Sequence, residues 1–419
     1  MKFGLRNMKI LLESVGHPER AFPSVHIAGT NGKGSTASFL SSIAIEAGCK
    51  TGLYTSPHLI RFTERIRING VEMPEPRLVE YTNRLRPTIE SVQATFFEAT
   101  TCVAFLYFAE ESVDIAVVET GLGGRLDATN TLTPLLSIIT NVSYDHIEQL
   151  GRTLRGIARE KGGIIKRGVP CLTGSSNADV HSVLSRIARR RRSRLLKSSK
   201  ITKVHIQGEG KTGSPIRFSA TGLGGLKTEI GLRGNYQARN AELAVSASSI
   251  LRRLPQAREL FGSVTPEAIA RGLRNVQANS GLRCRFETIE APERYILDVA
   301  HNPDAVRNLV TALEPEHSGP YVVIFGVMRD KDYGSMLEEL RKVALVIVPV
   351  IPKTQRALGM RALARAIRQT GNRMERGGTV RQGLRTAGRI ASGGLCILVT
   401  GSHYVVGEAL AILSKRKIA

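Results

Sequence analysis

One stretch near the N-terminus limits what this chain can fold into. An apolar run, Val25-His26-Ile27-Ala28, leads straight into Gly29-Thr30-Asn31-Gly32-Lys33-Gly34-Ser35-Thr36, and a helical pattern follows over 37–47. Glycines let backbone N–H groups close around an anion because no Cβ intervenes, and the first turn of a helix adds unpaired N–H groups and a positive dipole end. Strand, glycine turn, lysine, hydroxyl and helix form the architecture of a phosphate-binding loop. Lys33 would neutralise the outer phosphates, and Ser35 or Thr36 could face a bound Mg²⁺. The spacing differs from G-x-x-x-x-G-K-[ST], because Gly34 separates Lys33 from Ser35 and Gly29 stands three before Gly32. A plain strand–helix turn that happens to carry a lysine is the competing reading, and it leaves the agreement of residue types and context unexplained.

Such a loop belongs on a parallel sheet, and the following pattern supplies one. Runs at 51–55, 115–118, 135–140 and 169–174 read as strands, with helices expected over 7–15, 77–93, 96–111, 155–165, 179–192 and 235–252. The segment 61–67 alternates towards Asn69-Gly70, a hairpin turn signal. Short β-like pieces between 203 and 232, separated by glycines at 208, 210, 213, 222, 224 and 225, suggest a small antiparallel sheet on the edge of the first unit. Thr265 and Pro266 open a helix to 275 as N-cap and first residue. The stretch 278–281 is the expected linker. Beyond it βα alternation restarts, with strands at 295–299, 321–325, 345–350 and 396–400 and helices at 303–313, 334–341, 361–368 and 405–413. The expected fold is α/β: an ATPase-type domain over 1–279 with a mostly parallel sheet and an antiparallel edge sheet, then a Rossmann-like domain over 280–419.

In open parallel sheets, ligands sit beyond the carboxyl ends of the strands. Strand direction therefore sends the phosphate loop, Ser56, Glu119 and Asp145-His146 to one edge. Glu119, at the end of a buried strand, suits a Mg²⁺ ligand, since a hard cation prefers oxygen. His146 gains weight as a ligand from Asp145 beside it, and Ser56 could complete the site. Lys161 reads locally as a surface lysine on a helix. Asp298 closes the first strand of the second unit and could bind a ribose or a metal, while His301 and Asn302 could cap the next helix.

Composition narrows the partners. No apolar run approaches the ~20 residues that span a bilayer, and the N-terminus lacks the apolar core of a secretory signal. Five dispersed cysteines with no C-x-x-C pair fit reduced thiols in a cytoplasm and argue against a cysteine zinc site. The 59 basic and 36 acidic residues leave a formal charge of +23. Part of it lies in Arg186, Arg189 to Arg192, Arg194, Lys197, Lys200 and Lys203. A positive field draws nucleic acid or any polyanionic substrate, but this run has no interleaved aromatics and sits in no recognised nucleic-acid motif. It reads as a solvated basic helix end.

The phosphate loop, Ser56-Pro57-His58, Glu119 with 120–130, Asp145-His146, Glu160-Lys161-Gly162-Gly163, Asn235 to Asn240, Arg285-Phe286-Glu287, Asp298 to Pro303 and Gly401 to Glu408 together resemble folylpolyglutamate synthase/dihydrofolate synthase, the folate branch of the Mur ligase family. The match runs in the family's order over nearly the whole chain. The resemblance implies an ATP-dependent amide ligase that adds L-glutamate to dihydropteroate or a reduced folate through an acyl phosphate. Thr30 to Thr36 would hold the ATP phosphates. Ser56, Glu119 and His146 would bind Mg²⁺, two ions being expected, and Lys161 matches the lysine that family members carbamylate. Asn240, Arg285 and Asp298 match nucleotide contacts, with Arg283 as the alternate for Arg285, and His301 matches a position near the γ-phosphate. Lys33, Lys161 and His301 form the expected catalytic group of a cytoplasmic, monomeric enzyme that needs neither membrane nor nucleic acid.

Some positions depart from the family. A longer N-terminal helix is usual ahead of the part resembling Phe3-Gly4-Leu5, Gly162 replaces an alanine, Gly281 to Arg285 replaces Pro-Gly-Arg, and Thr354 to Ala357 lacks a proline. Two other readings stay open at this point: a cell-wall Mur ligase, and a nucleic-acid-binding ATPase that would account for the charge.

Overall fold

The computed structural model describes residues 4–207, 216–221, 226–313 and 319–416. Its first sheet has eight strands: β1 (Ser24–Ala28), β2 (Thr51–Tyr54), β3 (Ile66–Ile68), β4 (Val71–Glu72), β5 (Ile115–Glu119), β6 (Leu136–Ile139), β7 (Cys171–Thr173) and β8 (Leu195–Lys197). Their order is β4-β3-β2-β5-β1-β6-β7-β8. From β2 to β8 the neighbours run parallel, and β3 and β4 add an antiparallel edge. Every residue of β1 and β5 is buried, which is why both read as continuous apolar runs rather than alternating ones. Successive side chains of β5 serve opposite faces. Val117 packs with Phe39 and Leu40 of the helix Lys33–Glu46. Ala116 and Val118 pack with Phe105 and Phe108 of the helix Phe96–Glu110. Each fully buried Val, Leu or Phe side chain among them is worth about 1.5–3 kcal/mol of burial.

A separate antiparallel sheet, order β11-β10-β9, joins β9 (Lys203–Gln207), β10 (Ile216–Thr221) and β11 (Leu226–Ile230). The glycines at 208, 210, 213, 222, 224 and 225 that pointed to it lie outside the described residues.

The second large sheet contains β12 (Glu287–Ala291), β13 (Glu293–Leu297), β14 (Tyr321–Phe325), β15 (Ala344–Ile351), β16 (Gly378–Thr379) and β17 (Ile397–Thr400), in the order β12-β13-β17-β14-β15-β16. All neighbours are parallel except the β12–β13 hairpin. Sequence reading missed β12, β16 and the helix Val380–Ala391. Two glutamates break the apolar signal of β12. In the helix, Gly383, Gly388 and three arginines hide a face whose Val380, Leu384, Ala387 and Ala391 are buried.

Three local expectations are corrected. The first helix after the glycine turn begins at Lys33 rather than 37, because Gly32 (φ +79°) turns the chain directly into it with no side-chain cap. Residues 62–65 form a 3-10 turn rather than extended chain: the Glu64 carboxylate accepts from the N–H groups of Leu59, Ile60 and Arg61. The expected linker is helical, Val276–Ser280, closed by left-handed Gly281. Asn279 pins it by donating to Ser42 Oγ at 3.0 Å and Glu46 Oε1 at 2.9 Å. Among the described residues, no helix is long and apolar enough to cross a membrane.

Candidate functional site

The carboxyl ends of β1, β2, β5 and β6 carry the glycine loop, Ser56, Glu119 and Asp145-His146. The ends of β13, β14 and β17 carry Asp298 to His301, Lys331 and His403. All of these line one cleft of about 1570 Å³. That exceeds the ~300–1,000 Å³ usual for one small molecule, so a nucleotide and a second substrate can share it.

Two of the loop's glycines, Gly29 and Gly32, are sterically required. A Cβ on Gly29 would lie 1.8 Å from Thr140 Oγ1, whose hydroxyl donates to Asn31 O at 2.7 Å. A Cβ on Gly32 would lie 2.2 Å from Asn240 Oδ1. Lys33 Nζ donates to Thr30 O at 3.2 Å and stands 3.8 Å from Glu119 Oε1. Thr30, Asn31, Gly34 and Ser35 line the cleft. Thr36 is fully buried and, among the described residues, its hydroxyl has no hydrogen-bond partner, so of the two hydroxyl candidates Ser35 faces the cleft.

Glu119 is 4% exposed and accepts from Ser56 N at 3.1 Å. Burial pushes its pKa up, and the Lys33 charge opposes this. The carboxylate thus faces the cleft with Lys33, Arg285 and Arg65 offsetting only part of the cost of its burial. The oxygens of Glu119, Ser56 and Ser35 in one cleft make a donor set that fits Mg²⁺. His146, in left-handed backbone (φ 49°), has its Nε2 3.2 Å from the Lys331 ammonium. Burial, with Lys331 helping and Asp145 opposing, lowers its pKa to about 4, so the ring is neutral near pH 7. Among the described residues, no three His, Cys, Asp or Glu side chains cluster as metal ligands.

Lys161 is not the surface lysine that local sequence suggests. It is 3% exposed and donates to Gly29 O at 2.7 Å. Burial, and then the Lys33 charge, lower its pKa from 10.5 to about 7.

From the second unit, Arg285 stands between two residues in the left-handed region, Cys284 (φ 57°) and Phe286 (φ 53°). Its guanidinium faces Gly34. Arg283, the alternate, is turned outward and bonded to Glu287 at 2.7 Å. Asp298 accepts from Tyr236 OH, Phe286 N and Ala300 N, each at 2.8 Å, and burial raises its pKa against the pull of Arg285. Asn240 is held by Gln237 Oε1 at 2.9 Å. His301 Nδ1 donates to Val299 O at 2.9 Å, which leaves Nε2 facing Asp145 Oδ2 at 3.6 Å.

Sequence reading missed the ties that join the two units. Asn31 Nδ2 donates to Asp304 Oδ2 at 2.9 Å, and Asn302 Nδ2 donates to Asn31 Oδ1 at 2.9 Å and to Asp145 Oδ2 at 3.2 Å. Asn302 also caps its helix, as expected, through Ala305 N. Lys331 Nζ meets Asp145 Oδ1 at 2.5 Å. Burial works against the Asp145 carboxylate, but His301 and Lys331 outweigh it and hold its pKa far below the ordinary range. Lys331 was findable, since it follows β14 as Glu119 ends β5.

The Mur ligase middle domain model matches residues 27–248, and the Mur ligase, glutamate ligase domain model matches residues 284–403. Folylpolyglutamate synthase of Lacticaseibacillus casei is 35% identical over 367 residues, which cover 84% of this chain and 82% of that protein. Dihydrofolate synthase/folylpolyglutamate synthase of Bacillus subtilis is 34% identical, covering 83% and 80%. The crystal structure of folylpolyglutamate synthase from Thermotoga maritima superposes with a TM-score of 0.83 at 32% identity, covering 100% of this chain and 95% of that one. The Escherichia coli FolC complex with DHPP and ADP gives 0.86 at 28% identity, covering 100% and 94%.

Proposed function

Because the chain belongs to the folylpolyglutamate synthase/dihydrofolate synthase branch of the Mur ligase family, we propose a division of its ATP-dependent glutamate-ligase chemistry among the residues of the cleft. The observation that carries this reading is the convergence of Lys33 and Glu119 from one unit with Arg285, Asp298 and His301 from the other. We divide the units at residues 279 and 280.

ATP lies with its phosphates on the N–H groups of 30–36 and on Lys33, at the positive end of the helix Lys33–Glu46. Asn240, Arg285 and Asp298 supply further nucleotide contacts, Asn240 and Arg285 from beside Gly32 and Gly34 of the phosphate loop. Glu119, Ser56 and His146 are the residues that would hold Mg²⁺, which when bound neutralises charge on the transferring phosphoryl group. The acceptor carboxylate of a pteroate or folate takes the γ-phosphoryl group, giving an acyl phosphate and ADP. Lys33 and His301 stabilise the charge in transfer. The amine of L-glutamate then attacks the acyl carbon, phosphate leaves, and the amide forms. The ties of Asn31 and Asn302 hold the units closed and keep out water that would hydrolyse the acyl phosphate. Lys161, with its amine half deprotonated near neutral pH, can add CO₂ and become a carbamate. The reading places the enzyme in the cytoplasm as a monomer, with turnover independent of nucleic acid.

The test is ADP release with ATP, Mg²⁺ and L-glutamate, offering dihydropteroate and tetrahydrofolate in separate tubes. Release with both marks a bifunctional enzyme, and release with one names the activity. Lys33→Ala and Glu119→Ala are expected to abolish glutamate-dependent release with an unchanged circular dichroism spectrum. Activity retained in either variant would refute these roles.

A further inference from the structure

The first sheet carries a second charged region, at the strand ends opposite the cleft. The helix Ala178–Arg190 closes in a Schellman turn, with Ser193 N donating to Ala188 O at 2.9 Å and Arg192 N to Arg189 O at 3.1 Å. The left-handed position of that turn, where glycine is the easy residue, is held by Arg192 (φ 51°). The chain then runs beside the segment ahead of β7. Gly168 N donates to Arg191 O at 2.9 Å, Cys171 N to Arg194 O at 2.8 Å, and Ser193 Oγ to Val169 O at 2.6 Å. These bonds bring Arg167 to a rim formed by Arg186, Arg189 to Arg192 and Arg194, and every one of these arginines is exposed. Among the described residues none of them meets a carboxylate. No acidic residue occurs from 180 to 208, and Asp179, at the far end of the helix, is taken by Arg155 at 3.1 Å.

A helix dipole favours cations in the last turn, which accounts for Arg189 and Arg190. It does not account for Arg191, Arg192 and Arg194 beyond the helix or for Arg167 on another segment. Arg186 and Arg190, one turn apart, repel each other, and Arg192 occupies a conformation that a side chain disfavours. A polyanion would relieve such an array, and the arginine fork matches phosphate with two prongs. Residues 178–203 contain no Phe, Tyr or Trp to stack on an unpaired base. The large apolar side chains that are exposed among the described residues all lie elsewhere in the chain, so the rim lacks the anchors of a protein interface or of membrane insertion. We propose that this rim is a docking surface for the phosphate backbone of a nucleic-acid duplex, bound without regard to base sequence. The rim lies at the amino ends of β7 and β8, whereas Thr173 and Lys197 at their carboxyl ends line the cleft, so its occupancy leaves turnover unchanged. The proposal is independent of the ligase reading.

The test is fluorescence anisotropy of the full chain with a labelled DNA duplex of about 20 base pairs, between about 50 and 200 mM salt. Binding is expected with a Kd of about 1–100 μM near physiological salt, within about twofold for two unrelated sequences. Five phosphate contacts would give a slope of log affinity against log salt of about −4.5. Changing Arg189, Arg190, Arg191 and Arg192 together to glutamine should weaken binding about tenfold or more and flatten the slope by about 3 to 4. The control changes Arg361, Arg365, Arg368 and Arg381, four exposed arginines of the second unit, and should leave affinity within about twofold, which separates this rim from the net charge of the chain. Arg192→Gly removes one charge and relieves the turn, so it should raise the melting temperature while flattening the slope by about 1. That variant keeps the test independent of any loss of folding. No binding by the unaltered chain at the lowest salt overturns the proposal. So does an equal loss in the two fourfold variants, or binding to phosphatidylserine vesicles with none to the duplex.

Discussion

Lys161 lets the cost of building this site be measured as stability. Its amine is buried against Gly29 O, and its pKa falls from 10.5 to about 7. Between those values the unfolded chain binds one more proton than the folded chain, so stability rises with pH across this window and the penalty is complete below it. The full shift corresponds to about 5 kcal/mol at 1.36 kcal/mol per unit, a ceiling that local relaxation lowers. The perturbation is Lys161→Met, which keeps the aliphatic stem and removes the titration. It also leaves Gly29 O unpaired, at a cost of about 1–3 kcal/mol that does not vary with pH. Subtracting the variant's unfolding free energy from that of the unaltered chain cancels every other titrating group. The difference should move in favour of the unaltered chain by up to about 2.6 kcal/mol between about pH 6 and pH 9. Guanidinium unfolding at a series of pH values in carbonate-free buffer measures it, because added bicarbonate would let the amine form a carbamate and change its charge. A flat difference across the series would refute the assignment of a neutralised buried lysine, and a fall with rising pH would reverse its sign.

Two further outcomes follow from other parts of the cleft. Asn302→Asp keeps an oxygen to cap Ala305 N but removes the donor to Asn31 and Asp145. It should lower kcat/KM for ATP about tenfold or more and lower the melting temperature as well, because the new carboxylate is buried against Asp145, and unchanged kinetics would show that the tie does not hold the units closed. Changing Arg189, Arg190, Arg191 and Arg192 together to glutamine should leave ADP release within about twofold, since exposed charges away from such features contribute little, and DNA or RNA should not stimulate either protein. Those arginines end the helix Ala178–Arg190 and enter β8 at its amino end, away from the strand ends that line the cleft. Loss of turnover would return the nucleic-acid ATPase to consideration.

What the sequence disclosed and what it withheld divide along a physical line. A parallel strand buried on both faces must be a short apolar run, so β1, β5, β6 and β14 were legible, and strand direction placed Glu119 and Asp145 on the edge of the phosphate loop. Turn chemistry was legible wherever a backbone demand has only one cheap answer, as at Gly32 and at Asn69-Gly70. Signals failed where a local cue had two outcomes. Glu64 could have faced solvent but instead gathers three N–H groups and curls 62–65. Lys161 has the local sequence of a surface helix, but that helix end turns inward, with Gly162 close against Leu184 and Ile187.

The deepest omissions are pairs whose members come from different units. Asn31 sits in the loop that was read first, yet its partners Asn302 and Asp304 lie some 270 positions away, and no periodicity links them. The same holds for Lys331 and Asp145. These ties are what make a cleft out of two sheets that each have a core of their own. Each unit's strand ends supply half of the charges, and an isolated Asp145 would be costly to bury without Lys331 and His301. Closure also sets the charge of Asp145, whose carboxylate is held low chiefly by His301 and Lys331 of the second unit. An open arrangement would leave that carboxylate, Asn31 and the phosphate loop to water. The sequence can name the parts on each edge, and the packing of the two units decides which of them act together.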